Sequence, residues 1–250
     1  MSDPAENRPP SPIEAVFADR AVRREGGTER VPGPRARRTR QRILAAAMQC
    51  FVADGYSRTS MADVADAAGI SLGAVYQYFR DRSDLVGALV REGLRVMLTR
   101  VDAEWRVGEG VGGLERVLTN FAASYADAPG LVAVWEETSQ TEADLADLRR
   151  SLGRVFERAV ARELRRAQQA GEVAADLEPA DTARALTAMV DRYCYVTYVF
   201  DPPEGGPPPA EETGVLLARL WARAIGIGGA PTGPREEGGV SRRNGRSPVA

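Results

Sequence analysis

The chain has 250 residues, of which 44% are hydrophobic and 27% charged, as in a globular protein of one large or two small domains. Histidine is absent and every basic side chain is an arginine, which excludes histidine-based triads, HExxH zinc sites and lysine Schiff bases. With Cys50 and Cys194 as its two cysteines, the chain is predicted to hold no metal and no cofactor and not to be an enzyme. We expect two buried thiols rather than a disulfide.

Both ends of the chain are predicted to be disordered. Residues 1–35 and 228–250 are dominated by proline, glycine and charged side chains and show little apolar periodicity. No apolar run approaches the length of a membrane span, and the first residues lack the apolar core of a signal peptide. The sequence therefore predicts a cytoplasmic protein with no membrane partner.

The net charge of -2 is unevenly distributed along the chain. Between Arg35 and Arg82 there are eight arginines and four aspartates, a local charge of +4, which leaves -6 for all other residues. Five of these arginines, including Arg38, fall between Arg35 and Arg42. They are interpreted as a basic arm that lies along DNA phosphates or enters a minor groove. The alternative is a solvated tail with incidental charge.

The first helix is predicted from about Arg37 to Ala53, and two short helices joined by a glycine follow between residues 60 and 79. Ser60 and Ser71 are suitable N-caps for these two helices. Gly69 lies between them, where glycine reaches a positive φ without a Cβ clash. Such a pair is typical of a helix-turn-helix, whose second helix enters the major groove of DNA. The alternative is a plain helical hairpin whose tyrosines cover a core.

The second helix of the pair carries side chains suited to DNA. Glycine and alanine near its start allow a close approach to a base edge, and a glutamine further on can pair with adenine. Tyrosine hydroxyls and arginines donate hydrogen bonds to phosphates. The predicted base-edge residues are Leu72, Gly73, Ala74 and Gln77. The predicted phosphate contacts are Thr59, Ser71, Tyr76, Tyr78, Arg80 and Arg82, and Arg38 and Ser60 complete the predicted DNA-binding set.

Residues 42–85 resemble the DNA-binding domain of the TetR family of transcriptional regulators. The matching residues are Ile43, Ala46, Ala47, Phe51, Gly55, Tyr56, Thr59, Ser60, Met61, Val64, Ala65, Ala68, Gly69, Ile70, Ser71, Gly73, Val75, Tyr76, Tyr78, Phe79, Asp81, Arg82, Ser83, Asp84 and Leu85. The resemblance implies an all-α protein with an N-terminal three-helix helix-turn-helix domain over residues 36–96. A helical ligand-binding and dimerisation domain would then occupy residues 97–227. Leu72 stands where many relatives have lysine or arginine, so the operator sequence does not follow from the resemblance.

The rest of the chain also predicts helices, because no segment alternates with period two for long. A helix from Ser83 to about Val107 is expected to link the two domains. The glycine-rich residues 108–113 are interpreted as a connection between helices, since a phosphate-binding loop would need a Lys-Ser or Lys-Thr pair and a preceding strand. Further helices are expected over residues 114–126, from Pro129, and over residues 142–170, 179–200 and 211–227.

The last two predicted helices are the candidates for assembly and ligand binding. The second half of the helix over residues 179–200 is apolar and aromatic nearly all round, which is typical of a helix buried on both sides. One side could face a ligand pocket and the other a second copy of the chain. In the family, two such helices from each chain form a four-helix dimer interface, and a self-complementary patch suits a two-fold dimer.

A pocket in the helical body is predicted from seven apolar and aromatic side chains. Tyr125 and Tyr193 would supply its polar tips, and Arg192 could face an anionic group, although a pairing with a carboxylate such as Asp191 is the alternative. Each of these side chains could equally be ordinary core. The predicted pocket residues are Trp105, Phe121, Tyr125, Trp135, Phe156, Met189 and Tyr193.

These patterns together predict a homodimeric repressor that binds a palindromic, double-stranded DNA operator and is released by a small, largely apolar ligand. An activator of the same fold is one alternative. A helical small-molecule-binding protein or enzyme without a DNA function is another, from a different class.

Overall fold

The computed structural model describes residues 13, 15–17, 33–98, 101 and 105–227. Within these ranges the chain is helical and has no strand, which confirms the predicted all-α fold. A 3-10 turn, Val107–Glu109, precedes α5, and a π-helical turn, Val196–Phe200, continues α8. The helices are α1 (Pro34–Asp54), α2 (Met61–Ala68), α3 (Leu72–Tyr76), α4 (Arg82–Leu98), α5 (Gly110–Asp127), α6 (Pro129–Thr141), α7 (Ala143–Gln169), α8 (Pro179–Tyr195) and α9 (Ala210–Ile225).

Helices α1 to α4 pack around the first of two apolar cores. Ile43 and Phe51 of α1, Val64 of α2, Val75 of α3 and Leu85 of α4 are each at most 2% exposed in this core. Burying each of these side chains contributes roughly 1.5–3 kcal/mol relative to leaving it in water. The short helix α3 is therefore held in place by its inner face, and its outer face is left for other contacts.

The turn between α2 and α3 forms as its sequence predicts. The hydroxyl of Ser60 accepts a hydrogen bond from the Asp63 N–H at 3.2 Å, and the Asp63 carboxylate accepts one from the Ser60 N–H at 2.8 Å. This reciprocal pair satisfies two backbone donors at the start of α2. Gly69 ends α2 with φ 63° and ψ 40°, in the left-handed region that favours glycine.

Helix α1 begins earlier than the sequence predicted. Pro34 occupies its first turn, where the fixed φ of proline suits a helix and its missing N–H costs nothing. The arginines between Arg35 and Arg42 therefore lie on the helix rather than on an arm ahead of it. Ile13 and residues 15–17 are also helical where disorder was predicted, and Ile13 is 7% exposed against the first core. The remainder of both predicted tails lies outside the described residues.

Helix α4 is shorter than predicted, since it ends at Leu98 instead of near Val107. The N–H of Val107 donates a hydrogen bond to the Glu163 carboxylate of α7 at 2.7 Å, and Glu163 is 3% exposed. Arg106 and Arg166 pair with the same carboxylate. The predicted connection at residues 108–113 is also different, because α5 already begins at Gly110.

Helices α5, α7, α8 and α9 enclose the second core. Leu114 of α5, Leu164 of α7, Ala183 of α8 and Leu217 of α9 are each at most 1% exposed in it. Helices α5 and α9 approach closely at Gly214, where an added Cβ would lie 2.7 Å from the Thr119 Cα. The body is thus a tightly packed helical unit joined to the N-terminal domain through α4, α6 and α7.

Within the described part of the chain, none of the helices is both long and apolar enough to cross a membrane. The same residues include no group of three or more histidine, cysteine, aspartate or glutamate side chains placed to hold a metal ion. Both cysteines are free thiols; Cys194 is buried and Cys50 is half-buried.

Candidate DNA-binding surface and ligand cavity

The outer face of α3 is an exposed surface of mixed chemistry. Ser71 caps the helix by accepting a hydrogen bond from the Ala74 N–H at 3.2 Å. Leu72 is 40% exposed and Tyr76 is 50% exposed, and both lie on the same short helix as the exposed Gly73. A Cβ added at Gly73 would meet no atom of the described residues within 4 Å. Of the predicted DNA-binding residues, the exposed ones at this surface are Ser71, Leu72, Gly73, Tyr76, Gln77 and Arg80.

Other predicted DNA-binding residues face the protein. Thr59 is 2% exposed, and its hydroxyl donates hydrogen bonds to the carbonyls of Cys50 and Gly55. Tyr78 is half-buried against the first core, and Ala74 is half-buried as well. The Thr59 hydroxyl thus bonds within the protein, to the end of α1 and the residue after it, while Tyr78 keeps part of its surface exposed. Ser60 and Arg38 are exposed, Ser60 at the start of α2 and Arg38 on α1.

Arg82 holds the loop that precedes the helix-turn-helix. Its guanidinium donates hydrogen bonds to the carbonyls of Tyr56, Ser57 and Thr59 at 3.0–3.1 Å, and it lies 4.4 Å from the centre of the Tyr56 ring. The predicted phosphate contact is thus a side chain already engaged by the backbone of residues 55–60. We call residues 55–60 the junction loop.

The body of the protein holds the same junction loop through two carboxylates at the end of α6. Glu137 accepts hydrogen bonds from the N–H groups of Tyr56 and Ser57 at 3.0 and 3.1 Å. Glu142 accepts hydrogen bonds from the hydroxyls of Tyr56 and Ser83. No local pattern in the sequence marks either residue for this role, because their partners lie more than fifty positions away along the chain.

Two pKa shifts record the strength of these contacts. Burial alone would raise the pKa of the Glu137 carboxyl, but the N–H donors of Tyr56 and Ser57 outweigh it and lower the pKa below its usual value. Burial, together with the neighbouring Glu142 carboxylate, raises the pKa of the Tyr56 hydroxyl to about 12. Glu137 is therefore charged and Tyr56 neutral at physiological pH, as their hydrogen bonds require.

A cavity of about 280 Å³ lies in the body, between the two cores. Its wall contains five of the predicted pocket residues, and among these Phe121 contacts Tyr125 and Phe156, at 5.3 and 6.1 Å between ring centres. The structure places Met189 and Tyr193 elsewhere, half-buried against the second core. The predicted residues that line the cavity are Trp105, Phe121, Tyr125, Trp135 and Phe156.

The polar side of the cavity contains three charged residues that were not among the predicted pocket residues: Arg149, Glu157 and Asp191. Arg149 forms an ion pair with Glu136 at 2.5 Å and lies 3.6 Å from Asp191. The Tyr125 hydroxyl donates a short hydrogen bond to Asp191. The sequence suggested that Arg192 could pair with Asp191. Its guanidinium instead lies over the rings of Tyr195 and Phe200. Arg149 and Asp191 come from different helices, α7 and α8, which explains why the pattern was not visible in sequence.

The pKa shifts in the cavity follow from this arrangement. Burial, and then the charge of Asp191, raise the pKa of the Tyr125 hydroxyl well above its ordinary value. Burial would lower the pKa of the Arg149 guanidinium, but its contact with Glu136 and the charge of Asp191 raise it overall. Tyr125 is a neutral donor and Arg149 a permanent cation whose charge is compensated within the protein.

An apolar surface lies on the last two helices, away from the helix-turn-helix in sequence. Phe200 is 66% exposed, Leu216 is 42% exposed and Leu220 is 43% exposed. Phe200 stacks on Tyr195 at 6.0 Å between ring centres.

Comparison with known proteins gives two family matches. Residues 43–89 match the model described as bacterial regulatory proteins of the tetR family, and residues 113–213 match the one described as BetI-type transcriptional repressor, C-terminal. The first match covers α2 and α3 together with parts of α1 and α4, and the second covers most of the body.

Individual relatives match the N-terminal domain most strongly. The chain is 48% identical to the regulator AcrR of Shigella flexneri over 50 residues, and 42% identical to the regulator TtgR of Pseudomonas putida over 55 residues. These segments are 20% and 22% of this chain, and span only 23% and 26% of the two relatives. Among solved structures, MexZ of Pseudomonas aeruginosa, described as a key repressor responsible for antibiotic resistance, superposes with a TM-score of 0.59 at 25% identity. That superposition covers 75% of this chain and 94% of MexZ.

Proposed function

Because the chain belongs to the TetR family of transcriptional regulators, we propose that it is a homodimeric repressor of transcription. It binds a palindromic DNA operator through α3 and is released when a small, largely apolar molecule enters the cavity of the body. The observation that carries this proposal is the outer face of α3, whose exposed side chains and open glycine are not required by the fold.

The proposed DNA contacts divide into two kinds. Leu72, Gly73 and Gln77 lie over base edges, where leucine meets a thymine methyl group and glutamine pairs with adenine. Tyr76 and Arg80 donate hydrogen bonds to phosphates on either side. Leu72 and Tyr76 are 40% and 50% exposed, which supports a partner that covers them. Arg82 and the buried Thr59 hold the junction loop, which leads into α2 and α3, through hydrogen bonds to its carbonyl groups.

The dimer proposal rests on the exposed apolar side chains of the last two helices. Phe200, Leu216 and Leu220 would pack against the same residues of a second copy about a two-fold axis. Two copies of α3 would then read half-sites about one helical turn of DNA, or a multiple of it, apart. Leu216→Arg is expected to give a monomer by sedimentation, because it places a charge at the centre of that contact.

Helix α6 is the proposed route from the cavity to the DNA surface. Val132 and Trp135 of this helix line the cavity, and Glu137, at its other side, holds the junction loop. A ligand that is bound better by one position of α6 shifts the population toward that position. The junction loop moves with Glu137, and the two copies of α3 no longer match the spacing of the operator.

The test is a mobility shift on the DNA that flanks the gene of this protein, repeated over a series of salt concentrations. Arg80→Ala is expected to weaken binding to all fragments and to reduce the salt slope by about one. Gln77→Ala is expected to change the preference at one base position by about 1–3 kcal/mol. Arg158→Ala, at an exposed position of α7 in the body, is the matched control and should change neither.

The outcomes separate the candidate functions. If no fragment is bound at low salt, the regulator proposal is wrong and a helical small-molecule-binding protein or an enzyme becomes the better reading. If Gln77→Ala leaves the preference unchanged while Tyr76→Phe alters it, the roles of the two side chains are reversed. A reporter gene behind the bound fragment distinguishes a repressor from an activator by the sign of its response.

A further inference from the structure

One carboxylate in the cavity wall has no compensating charge. Glu157 of α7 is half-buried and lines the cavity, and among the described residues none donates a hydrogen bond to it or forms an ion pair with it. Nearby parts of the wall are formed by Phe121, Phe156 and Val160. A carboxylate without a partner at the edge of an apolar wall favours a ligand that brings a positive charge to it.

The other charges of the cavity do not supply that partner. Arg149 is bonded to Glu136 at 2.5 Å and lies 3.6 Å from Asp191, so its positive charge is already shared by two carboxylates. The lining itself contains one arginine against two carboxylates, a surplus of one negative charge. The net negative charge of the cavity lining therefore disfavours an anionic ligand and favours a cation.

The aromatic wall favours the same class of ligand. Three tryptophans and two phenylalanines line the cavity, and the faces of such rings carry the negative side of a quadrupole. Phe121 and Phe156 meet edge to face, with 6.1 Å between ring centres and an interplanar angle of 87°. Their apolar surfaces cover a hydrophobic body, and any positive charge on it is attracted to the ring faces as well as to Glu157.

We propose that the ligand of this cavity is an organic monocation, a protonated amine attached to an aromatic or branched apolar body. The ammonium group donates a hydrogen bond to the Glu157 carboxylate, and the body packs between Phe121, Phe156 and Trp135. This inference deepens the proposed function and rests on it only in taking the cavity as the effector site.

The experiment compares three probes of one shape and different charge: para-tert-butylbenzylamine, para-tert-butylbenzyl alcohol and para-tert-butylbenzoate. All three tryptophans of the chain line the cavity, so quenching of their fluorescence reports binding directly, and calorimetry on the same samples gives the affinity. At neutral pH the amine is expected to bind about tenfold more tightly than the alcohol, and the benzoate more weakly than either.

Glu157→Gln tests the assigned carboxylate. It is expected to weaken binding of the amine by about tenfold and to leave that of the alcohol within about twofold. Asp147→Asn, which removes a carboxylate from an exposed position of the same helix, is the control and should change neither. If Glu157→Gln does not fold, as judged by its thermal transition, the ranking of the three probes on the unchanged protein decides the question.

The inference is overturned by a benzoate that binds most tightly, by an amine no better than the alcohol, by the absence of binding of all three, or by equal losses in Glu157→Gln. DNA binding is measured on the same preparation without probe. If DNA is bound and the ranking of probes is wrong, the ligand class fails and the regulator stands. If DNA is not bound while the amine ranks first, the cavity assignment stands and the regulator proposal fails.

Discussion

The helix-turn-helix is built from contacts between residues close together in the sequence, whereas the ligand cavity is built from residues far apart in it. In the helix-turn-helix, Ser60 bonds to Asp63 and Ser71 to Ala74, each three positions along the chain. The cavity wall runs from Leu94 to Trp221 and draws on six helices, from α4 to α9. The DNA surface is thus specified by short segments of sequence, whereas the cavity exists only once the whole body has packed. A substitution that loosens the packing of the body should therefore change the cavity more than it changes the helix-turn-helix.

Two glycines, one in the body and one in the helix-turn-helix, show the same difference between the two regions. Gly214 lies where α5 and α9 touch, and a Cβ there would meet the backbone of Thr119 at 2.7 Å. Gly73 lies on the outer face of α3, where a Cβ would meet none of the described atoms within 4 Å. The first glycine is required by the packing of two helices, whereas the packing of the described residues leaves room for a side chain at the second.

The largest effect is expected for Gly214→Ala. The added Cβ would lie 2.0 Å from the Thr119 Oγ1 and 2.7 Å from the Thr119 Cα and N. A rotamer change can move the hydroxyl but not the two backbone atoms, so the helices must move apart. We expect a loss of about 3 kcal/mol in the free energy of unfolding, measured by denaturant titration. Fluorescence of the three cavity tryptophans should change with it.

Gly112→Ala is the matched control, because a Cβ at that exposed position of α5 meets none of the described atoms within 4 Å. It is expected to keep or slightly raise the stability. Equal behaviour of the two variants would show that α5 and α9 do not pack as closely as described.

A smaller effect is expected for Glu137→Gln at the junction loop. Tyr56 and Ser57 donate their N–H groups to different oxygens of the Glu137 carboxylate, and glutamine offers one acceptor oxygen. One charge-assisted hydrogen bond is therefore lost and the other weakened, and about 1–2 kcal/mol of stability should be lost near neutral pH. The pKa of the Glu137 carboxyl is lower in the folded chain than its ordinary value of 4.5. Its contribution is therefore fully present above pH 4.5 and is lost as the pH falls through the lower, folded-state pKa.

The measurement is the difference in unfolding free energy between the unchanged protein and Glu137→Gln, followed from neutral to acid pH. The difference should shrink as the pH falls below about 4.5 and through the lower, folded-state pKa, below which the glutamate is neutral as well. Glu115→Gln, on the partly exposed face of α5, is the control and should give little difference at any pH. A difference that grows on acidification would contradict the assigned role of the charge.

The smallest change in stability is expected for Gly73→Ala, and it has the opposite sign. Alanine favours the helix, so the free energy of unfolding should rise by about 0.5 kcal/mol. If α3 lies against DNA at this point, the added methyl group should nevertheless weaken DNA binding in a mobility shift. Unchanged DNA binding would remove Gly73 from the interface while leaving the rest of α3 untouched.

The helix-turn-helix and the body also differ in how much of their structure could be predicted from the sequence. The serine caps, the left-handed Gly69 and the buried positions of α2 and α3 followed from the sequence, because each depends on neighbours a few residues away. The break after α4 was missed, since the buried Glu163 that binds the Val107 N–H comes from α7. Thr59 and Arg82 have the residue types that bind phosphate, but the fold surrounds one with its own carbonyls and turns the other toward the junction loop.

By itself the sequence determined the helical class of the protein, the place and caps of the helix-turn-helix, and five aromatic residues of the cavity, because helix formation and capping are local and aromatic side chains are buried for their size. Only the tertiary structure decided where the charges lie. It brought Arg149 of α7 close to Asp191 of α8, left Glu157 without an ion pair among the residues that the structure describes, and tied Glu137 to the junction loop. These pairings depend on which helices meet, and the free energy that selects them comes from packing the whole chain rather than from any segment of it.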